Sequence, residues 1–116
     1  LKLGKEKKDF YVHDLMKFIK RGGSEEMVLV DRLLIAAMIE ARSCERFLTL
    51  SENIKDKELS KFYYDLMASE ARHYTLFLKL AKKYGAGVDV DARWKEFLAE
   101  EAKIIAGYGN EKTVHG

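Results

Sequence analysis

The chain contains no proline in 116 residues, and its apolar residues recur at intervals of three and four. Proline breaks the interior of a helix because it lacks a backbone N–H and its ring clashes with the preceding turn. Apolar residues at i, i+3, i+4 and i+7 form one stripe along a helix, whereas a half-buried strand alternates with a period of two, which no segment shows. The sequence therefore predicts an all-α protein, a helical bundle.

Four helices are predicted from this periodicity and from end signals. They span about 9–20, 25–50, 57–84 and 91–106, with an irregular tail over 107–116. Ser24 is suited to cap the second helix, because its hydroxyl can accept a hydrogen bond from the first turn. Gly85 and Gly87 should end the third helix. The stretch SENIKD at 51–56 is so short that the second and third helices must run antiparallel, side by side.

Composition limits the class of protein. A fraction of 47% hydrophobic and 34% charged residues is ordinary for a globular domain, and the length suits one domain. Cys44 has no second cysteine to pair with, which favours a reducing, cytoplasmic location. The longest apolar run, 33–39, is too short to cross a membrane. We expect one helical domain over 1–116. Because the chain lacks an initiator Met, we expect it to be a piece of a longer protein.

Three ionisable residues fall where core residues are expected. The predicted apolar stripes consist of Leu29, Leu33, Ala37, Cys44, Phe47 and Leu48 on the second helix, and of Leu59, Phe62, Tyr63, Leu66, Phe77, Leu80 and Ala81 on the third. Glu40 falls inside the former stripe, and Glu70 and His73 lie in the middle of the latter. Burying carboxylates costs several kcal/mol each without a counter-charge. Neither stripe contains a lysine or arginine, so a metal ion is the predicted counter-charge.

The hairpin geometry selects the partner of Glu70. Counted from the centre of the turn, Glu40 and Glu70 differ in level by only about 4–5 Å, whereas Glu45 would be misplaced by about 12 Å. The Glu-x-x-His spacing puts oxygen and nitrogen ligands on one helix face, and this ligand pair suits iron or manganese. Glu40, Glu70 and His73 are therefore the predicted ligands, with Glu45 as the alternative. A metal-free hydrogen bond between Glu70 and His73 stays open.

Other chemically interesting residues have simpler interpretations. Cys44 is predicted to fill the core and His13 to lie on the surface. Glu101 falls on the apolar side of the fourth helix, where it is either a second-shell acceptor that orients a ligand or a carboxylate at the helix edge.

The positive charge is concentrated at the start of the chain. Residues 1–23 carry seven Lys/Arg against three Asp/Glu, while the remainder is slightly acidic. Such an arm attracts phosphates, and Lys17, Lys20 and Arg21 are the candidate RNA contacts. Arg42, Arg46 and Arg72, predicted to point outward, would extend this surface. A solvated, lysine-rich lead-in is the alternative.

Three longer segments carry a family resemblance. LLIAAMIEARSCERF at 33–47, LSKFYYDLMASEARHY at 59–74 and FLAEEAKII at 97–105 resemble the second half of the tRNA 2-methylthio-N6-isopentenyladenosine hydroxylases. DLMKFIKRGG at 14–23 and the closing His115-Gly116 are similar to that family as well, so the resemblance covers nearly the whole chain. The family's earlier helix pair, with its own Glu and Glu-x-x-His, is missing from this sequence.

The resemblance implies a ferritin-like, non-haem di-iron monooxygenase that uses O2 to hydroxylate the isopentenyl group of a hypermodified tRNA adenosine. It implies two iron ions, with Glu40, Glu70 and His73 as ligands and with Phe47, Phe62 and Leu66 as apolar walls. The implied partners are tRNA and an external electron donor. A missing N-terminal helix pair or a second copy in a homodimer must supply the other ligands, so residues 1–116 alone should be inactive.

Two other classes of function remain open from the residues themselves. A ferritin- or rubrerythrin-like protein would use the same ligands to handle iron or peroxide without an organic substrate. A metal-free helical interaction module would need no ligands at all.

Overall fold

The computed structural model describes residues 2–19 and 23–115, with side chains over 10–19 and 23–108. These residues form four helices and no strand: α1 (Lys2–Lys17), α2 (Glu25–Asn53), α3 (Lys57–Tyr84) and α4 (Val90–His115). The predicted all-α, ferritin-like helical bundle is confirmed. Across the described part of the chain, every helix is too short or too polar to cross a membrane.

Helices α2 and α3 form an antiparallel hairpin with a three-residue connection, 54–56. Ser24 caps α2 as predicted, its Oγ accepting from Met27 N at 3.1 Å. Asp56 caps α3 in the same way, its Oδ1 accepting from Leu59 N at 3.0 Å. The predicted bounds of α3 are confirmed, and Gly85 is its C-cap. A Cβ at Gly85 would collide with Val30, so glycine allows the end of α3 to approach α2 closely.

The core lies between α2 and the pair α1 and α4. Its buried members are Leu15, Val30, Leu34, Ile35, Met38, Ala81, Val90 and Phe97. The stripe predicted for α2 is therefore wrong in part, since Leu29 and Leu48 are 42% and 37% exposed. Helix α2 packs on two sides, and the side that faces α1 and α4 is the more deeply buried. Because α2 buries apolar residues on two sides, the single stripe predicted for it describes only part of its packing.

Helix α3 is covered by α2 along one side. Ala81 is its buried residue in the described structure, while Leu59, Phe62 and Leu76 are about half exposed. We call the surface formed by these three side chains and His73 the open face. Large apolar side chains on one side of a helix indicate a surface that another element covers.

Three of the predicted helices have wrong bounds. Helix α2 continues beyond its predicted end at about residue 50, to Asn53, so the connection is shorter than predicted. Helix α1 starts at Lys2, because Lys, Glu and Leu are good helix formers even without an apolar stripe. Helix α4 continues through the glycines of the predicted irregular tail. Tyr108, beyond Gly107, donates a hydrogen bond to Asp14 Oδ2 at 3.2 Å and so ties this extension to α1.

A buried ion pair joins α2 to α4 and contacts the residue that follows α1. Arg93 on α4 donates from Nε and Nη2 to the two carboxylate oxygens of Asp31 on α2, at 2.7 and 2.9 Å. The same Nη2 donates to Phe18 O at 3.0 Å. The guanidinium carbon lies 4.5 and 4.8 Å from the ring centroids of Phe18 and Phe97. Asp31 and Arg93 are almost completely buried, and Arg93 also donates from Nη1 to the Glu96 carboxylate at 2.5 Å. Asp31 and Glu96 together therefore compensate the charge of Arg93.

Replacing Asp31 with alanine should destabilise the complete protein by about 1–3 kcal/mol, because the buried Nε and Nη2 donors of Arg93 lose their carboxylate acceptors while Glu96 still compensates the charge. Urea unfolding followed by circular dichroism would measure the change. The control is Asp65→Ala, which removes an exposed partner of Lys61 and should leave the unfolding midpoint unchanged. A loss below about 1 kcal/mol in Asp31→Ala would contradict the importance assigned to this pair.

Candidate metal centre

Glu40, Glu70 and His73 meet between α2 and α3. One ligand atom from each lies within 4.8 Å of the others. His73 Nδ1 is 3.8 Å from Glu40 Oε2 and 3.8 Å from Glu70 Oε1. The antiparallel hairpin places Glu40 level with Glu70, and the i, i+3 spacing puts His73 on the same side of α3. The structure thus brings together the three side chains that the sequence singled out.

The two carboxylates of the cluster lack a compensating cation among the described side chains. Glu40 Oε2 is buried and has no hydrogen-bond partner. Burial raises the pKa of the Glu40 carboxyl, and the neighbouring Glu70 carboxyl raises it further. Among the described side chains, neither glutamate forms an ion pair with a lysine or an arginine. A cation placed between these groups would satisfy the orphaned oxygen and compensate both carboxylates.

A hydrogen-bonded Glu–His pair does not account for the geometry. The 3.8 Å between His73 Nδ1 and each carboxylate oxygen is too long for a hydrogen bond. A metal ion among three ligands makes bonds of about 2 Å, so donor atoms separated by 3–5 Å suit one ion better than they suit each other. Two carboxylates and an imidazole fit iron or manganese. The donor set therefore fits the predicted metal.

The cluster is open on one side. The His73 side chain is 53% exposed, while those of Glu40 and Glu70 are 22% exposed. The exposed side of His73 is part of the open face of α3. Three protein ligands would leave an ion with free coordination positions, and further ligands could reach the cluster from the side that α2 and α3 leave uncovered.

Glu45 and Glu101 lie outside the cluster. Glu45 is exposed and accepts from Arg42 Nη1 at 2.5 Å. Glu101 is buried and accepts from Arg42 Nε at 2.7 Å and from the Tyr11 hydroxyl. Arg42 was predicted to point outward, which is wrong, because the buried Glu101 carboxylate holds it. The hydrogen bonds of Glu101 go to Arg42 and Tyr11 rather than to His73.

Sequence reasoning missed the part played by Tyr11. Burial, reinforced by the Glu101 carboxylate, raises the pKa of its hydroxyl. Tyr11 stands among the apolar residues in the C-terminal half of α1, and a tyrosine buried there needs a polar partner for its hydroxyl. That requirement was the available signal. The partner, 90 residues away in sequence, was not predictable from one helix.

Three further residues that the sequence singled out, Cys44, His13 and Phe47, differ in their contacts and exposure. Cys44 fills space between α2 and α3, with its Sγ 3.6 Å from Met67 O, and His13 is exposed as predicted. Phe47 stacks on Tyr63 with ring centroids 6.1 Å apart.

The predicted RNA-binding arm is described only in part. Lys17 is exposed, and its Nζ lies 3.9 Å from Asp14. Lys20 and Arg21 lie outside the described residues. The arm therefore stays a prediction.

Comparison with known families decides the class of this chain. The sequence model of the family described as tRNA-(MS[2]IO[6]A)-hydroxylase (MiaE) matches residues 3–116. The chain belongs to this family. The MiaE resemblance carried by the segments around Glu40 and Glu70 is thereby confirmed over nearly the whole sequence.

Two curated MiaE relatives show the extent of the similarity. The chain is 42% identical over 106 residues to the tRNA 2-(methylsulfanyl)-N(6)-isopentenyladenosine(37) hydroxylase of Pseudomonas putida, covering 90% of this chain and 50% of the relative. It is 39% identical over 105 residues to the Salmonella typhimurium protein of the same name, covering 90% of this chain and 37% of that relative. The chain thus spans half or less of these relatives' length. No solved structure matches it significantly.

Proposed function

We propose that the complete protein hydroxylates the isopentenyl group of a 2-methylthio-N6-isopentenyladenosine in tRNA, with two non-haem irons as its cofactor. The observation that carries the proposal is the cluster of Glu40, Glu70 and His73, with its buried, unpartnered Glu40 oxygen, in a MiaE-family chain. Both curated relatives are named as hydroxylases of this nucleoside. The tRNA substrate also agrees with the cytoplasmic location expected from the single cysteine.

Each residue of the cluster has a role in this proposal. Glu70 and His73, one turn apart on α3, would hold the irons from one helix, and Glu40 would hold them from α2. All three side chains would hold the irons, because their donor atoms lie within 4.8 Å of one another. The bound irons supply the chemistry that activates O2, with electrons from an external donor, and oxidises an unactivated C–H bond.

Once the open face is covered, the apolar side chains along α3 would exclude water and receive the substrate's hydrocarbon tail. Phe62 is 55% exposed, and its ring lies 5.5 Å from that of Tyr63. Leu66 lies one turn further along α3, between Phe62 and Glu70. A branched five-carbon group lying along this surface would reach the cluster without passing a charged side chain of α3.

The second half of the site comes from outside residues 1–116. Ferritin-like di-iron centres take a Glu from each of two helices and a Glu-x-x-His from each of two others, and this chain supplies one of each. Because the curated relatives are at least twice as long as the matched segment, we favour a preceding helix pair over a homodimer as the source. The same pair would cover the open face.

The test is direct hydroxylation. The complete protein, supplied with Fe²⁺, a chemical reductant and O2, should add one oxygen atom to the isopentenyl group of purified tRNA. Mass spectrometry of the digested nucleosides would detect the product. A matched tRNA that lacks the isopentenyl group should stay unchanged. Protein that holds two irons per chain and gives no hydroxylated nucleoside would instead favour an iron- or peroxide-handling role.

A further inference from the structure

The C-terminal half of α3 carries an unbalanced positive charge. Residues 71–88 contain four Lys/Arg and no Asp or Glu, whereas residues 57–69 contain two of each sign. The whole chain carries a net charge of +2, so the residues outside 71–88 sum to −2. An acid-free segment this long on one helix concentrates positive potential on the surface beside it.

Three of these cations share the outward side of α3. Arg72, Lys79 and Lys83 are spaced seven and four residues apart, which places them in one row, and all are exposed. We call this row the basic stripe. Arg72 and Lys79, with Ala71, Thr75 and Leu76, line a shallow depression of about 380 Å³. The Thr75 hydroxyl donates to Ala71 O at 3.0 Å and is therefore not a free donor for a ligand.

The basic stripe has no carboxylate partner among the described side chains, although nearby lysines do. On the same side of α3, Lys61 lies 2.8 Å from Asp65, and at the end of the helix Lys82 lies 3.3 Å from Asp91. The helix dipole favours cations in the last turn, which accounts for Lys83. It does not account for Arg72 and Lys79, which lie further from the C-terminus than the last turn.

The basic stripe runs beside the candidate metal centre. Arg72 and Lys79 lie about 100–120° around α3 from His73, with Leu76 between them and His73. A polyanion bound along the stripe would pass about one helix width, roughly 10 Å, from the cluster. A nucleotide turned out of that polyanion could then reach the cluster at the edge where the stripe borders the open face, while its neighbours stay on the helix surface.

We propose that the basic stripe binds phosphates of the tRNA strand that carries the substrate nucleotide. This proposal rests on the proposed function and names the surface that positions the substrate. Phosphate contacts of this kind fix the register of a nucleic acid without reading its sequence. Arg72 is the strongest member, because a guanidinium can bind a phosphate through two parallel hydrogen bonds. Lys79 and Lys83 extend the track along the helix.

The test compares tRNA binding by variants of the complete protein at several salt concentrations. Arg72→Gln combined with Lys79→Gln should weaken binding by at least about tenfold near 0.1 M salt and reduce the slope of log K against log salt by about 1.5. Lys95→Gln combined with Lys103→Gln makes the same charge change at exposed positions of α4 and should have much smaller effects. The charge-preserving pair Arg72→Lys and Lys79→Arg should keep the wild-type slope.

The possible outcomes distinguish a failure of the basic-stripe proposal from a failure of the proposed function. If the wild-type protein binds and hydroxylates tRNA but the Arg72 and Lys79 variant matches the α4 control in affinity and slope, the stripe proposal is wrong. The same holds if that variant loses turnover with a protein electron donor while its tRNA affinity is unchanged, because the stripe would then bind the donor. A wild-type protein that does not bind tRNA overturns both proposals. Iron content should be equal in all variants.

Discussion

Replacing Glu70 or His73 with alanine in the complete protein is expected to abolish iron binding and tRNA hydroxylation together. Each substitution removes one of the few ligands that the α2–α3 hairpin supplies, and loss of even an outer partner of a metal ligand costs about 10–100-fold in affinity or activity. Loss of a ligand itself should exceed that range. Glu40→Ala should have the same effect, because Glu40 is the ligand that α2 contributes. Iron per chain and hydroxylated nucleoside per minute are the two measurements.

Two controls distinguish lost ligation from lost folding. Glu45→Ala should keep iron and activity, because Glu45 is exposed and bound by Arg42. Glu40→Gln in metal-free protein should not lower stability, since it removes a buried carboxylate that faces Glu70. If Glu45→Ala releases iron while Glu40→Ala retains it, the assignment of Glu40 as the α2 ligand is wrong.

The hairpin and its cluster were predictable because they depend on local rules. Helical periodicity, the Ser24 cap and a short turn determine that α2 and α3 are antiparallel neighbours. A rise of about 1.5 Å per residue then places Glu40 level with Glu70. The three donors come together in the structure for this reason. That they bind iron is still a prediction, because the geometry shows only that the donor set is suitable.

The packing of α1 and α4 was not predictable from single helices. Periodicity identifies an apolar stripe but does not tell which neighbour covers it, so the deeply buried side of α2, with Val30, Leu34 and Met38, was missed. The same limit applies to polar pairs between distant helices. Arg42 is a charged residue that is expected on the surface when its helix is considered alone, and only the position of Glu101 explains its partial burial. Asp31 is not expected in the core unless the position of Arg93 is known.

The second prediction with a large expected effect concerns residues 1–116 in isolation from the rest of the protein. Residues 1–116, held monomeric, should bind no stable iron pair and should not hydroxylate tRNA. The chain supplies two carboxylates and one histidine, whereas a ferritin-like di-iron centre takes four carboxylates and two histidines. Phe10 and Lys112 stand three residues before His13 and His115, so neither histidine completes a second Glu-x-x-His. The half-exposed apolar side chains of the open face should also make the isolated segment prone to association.

The most direct test of the half-site is iron stoichiometry measured together with molar mass by light scattering. The complete protein should bind two irons per chain, and monomeric residues 1–116 should bind none that survives gel filtration. Two irons retained per dimer of 1–116 would locate the second half-site in a second copy rather than in a preceding helix pair. A monomer of 1–116 that retains two irons per chain would contradict the account, because Glu40, Glu70 and His73 would then not be half of the centre.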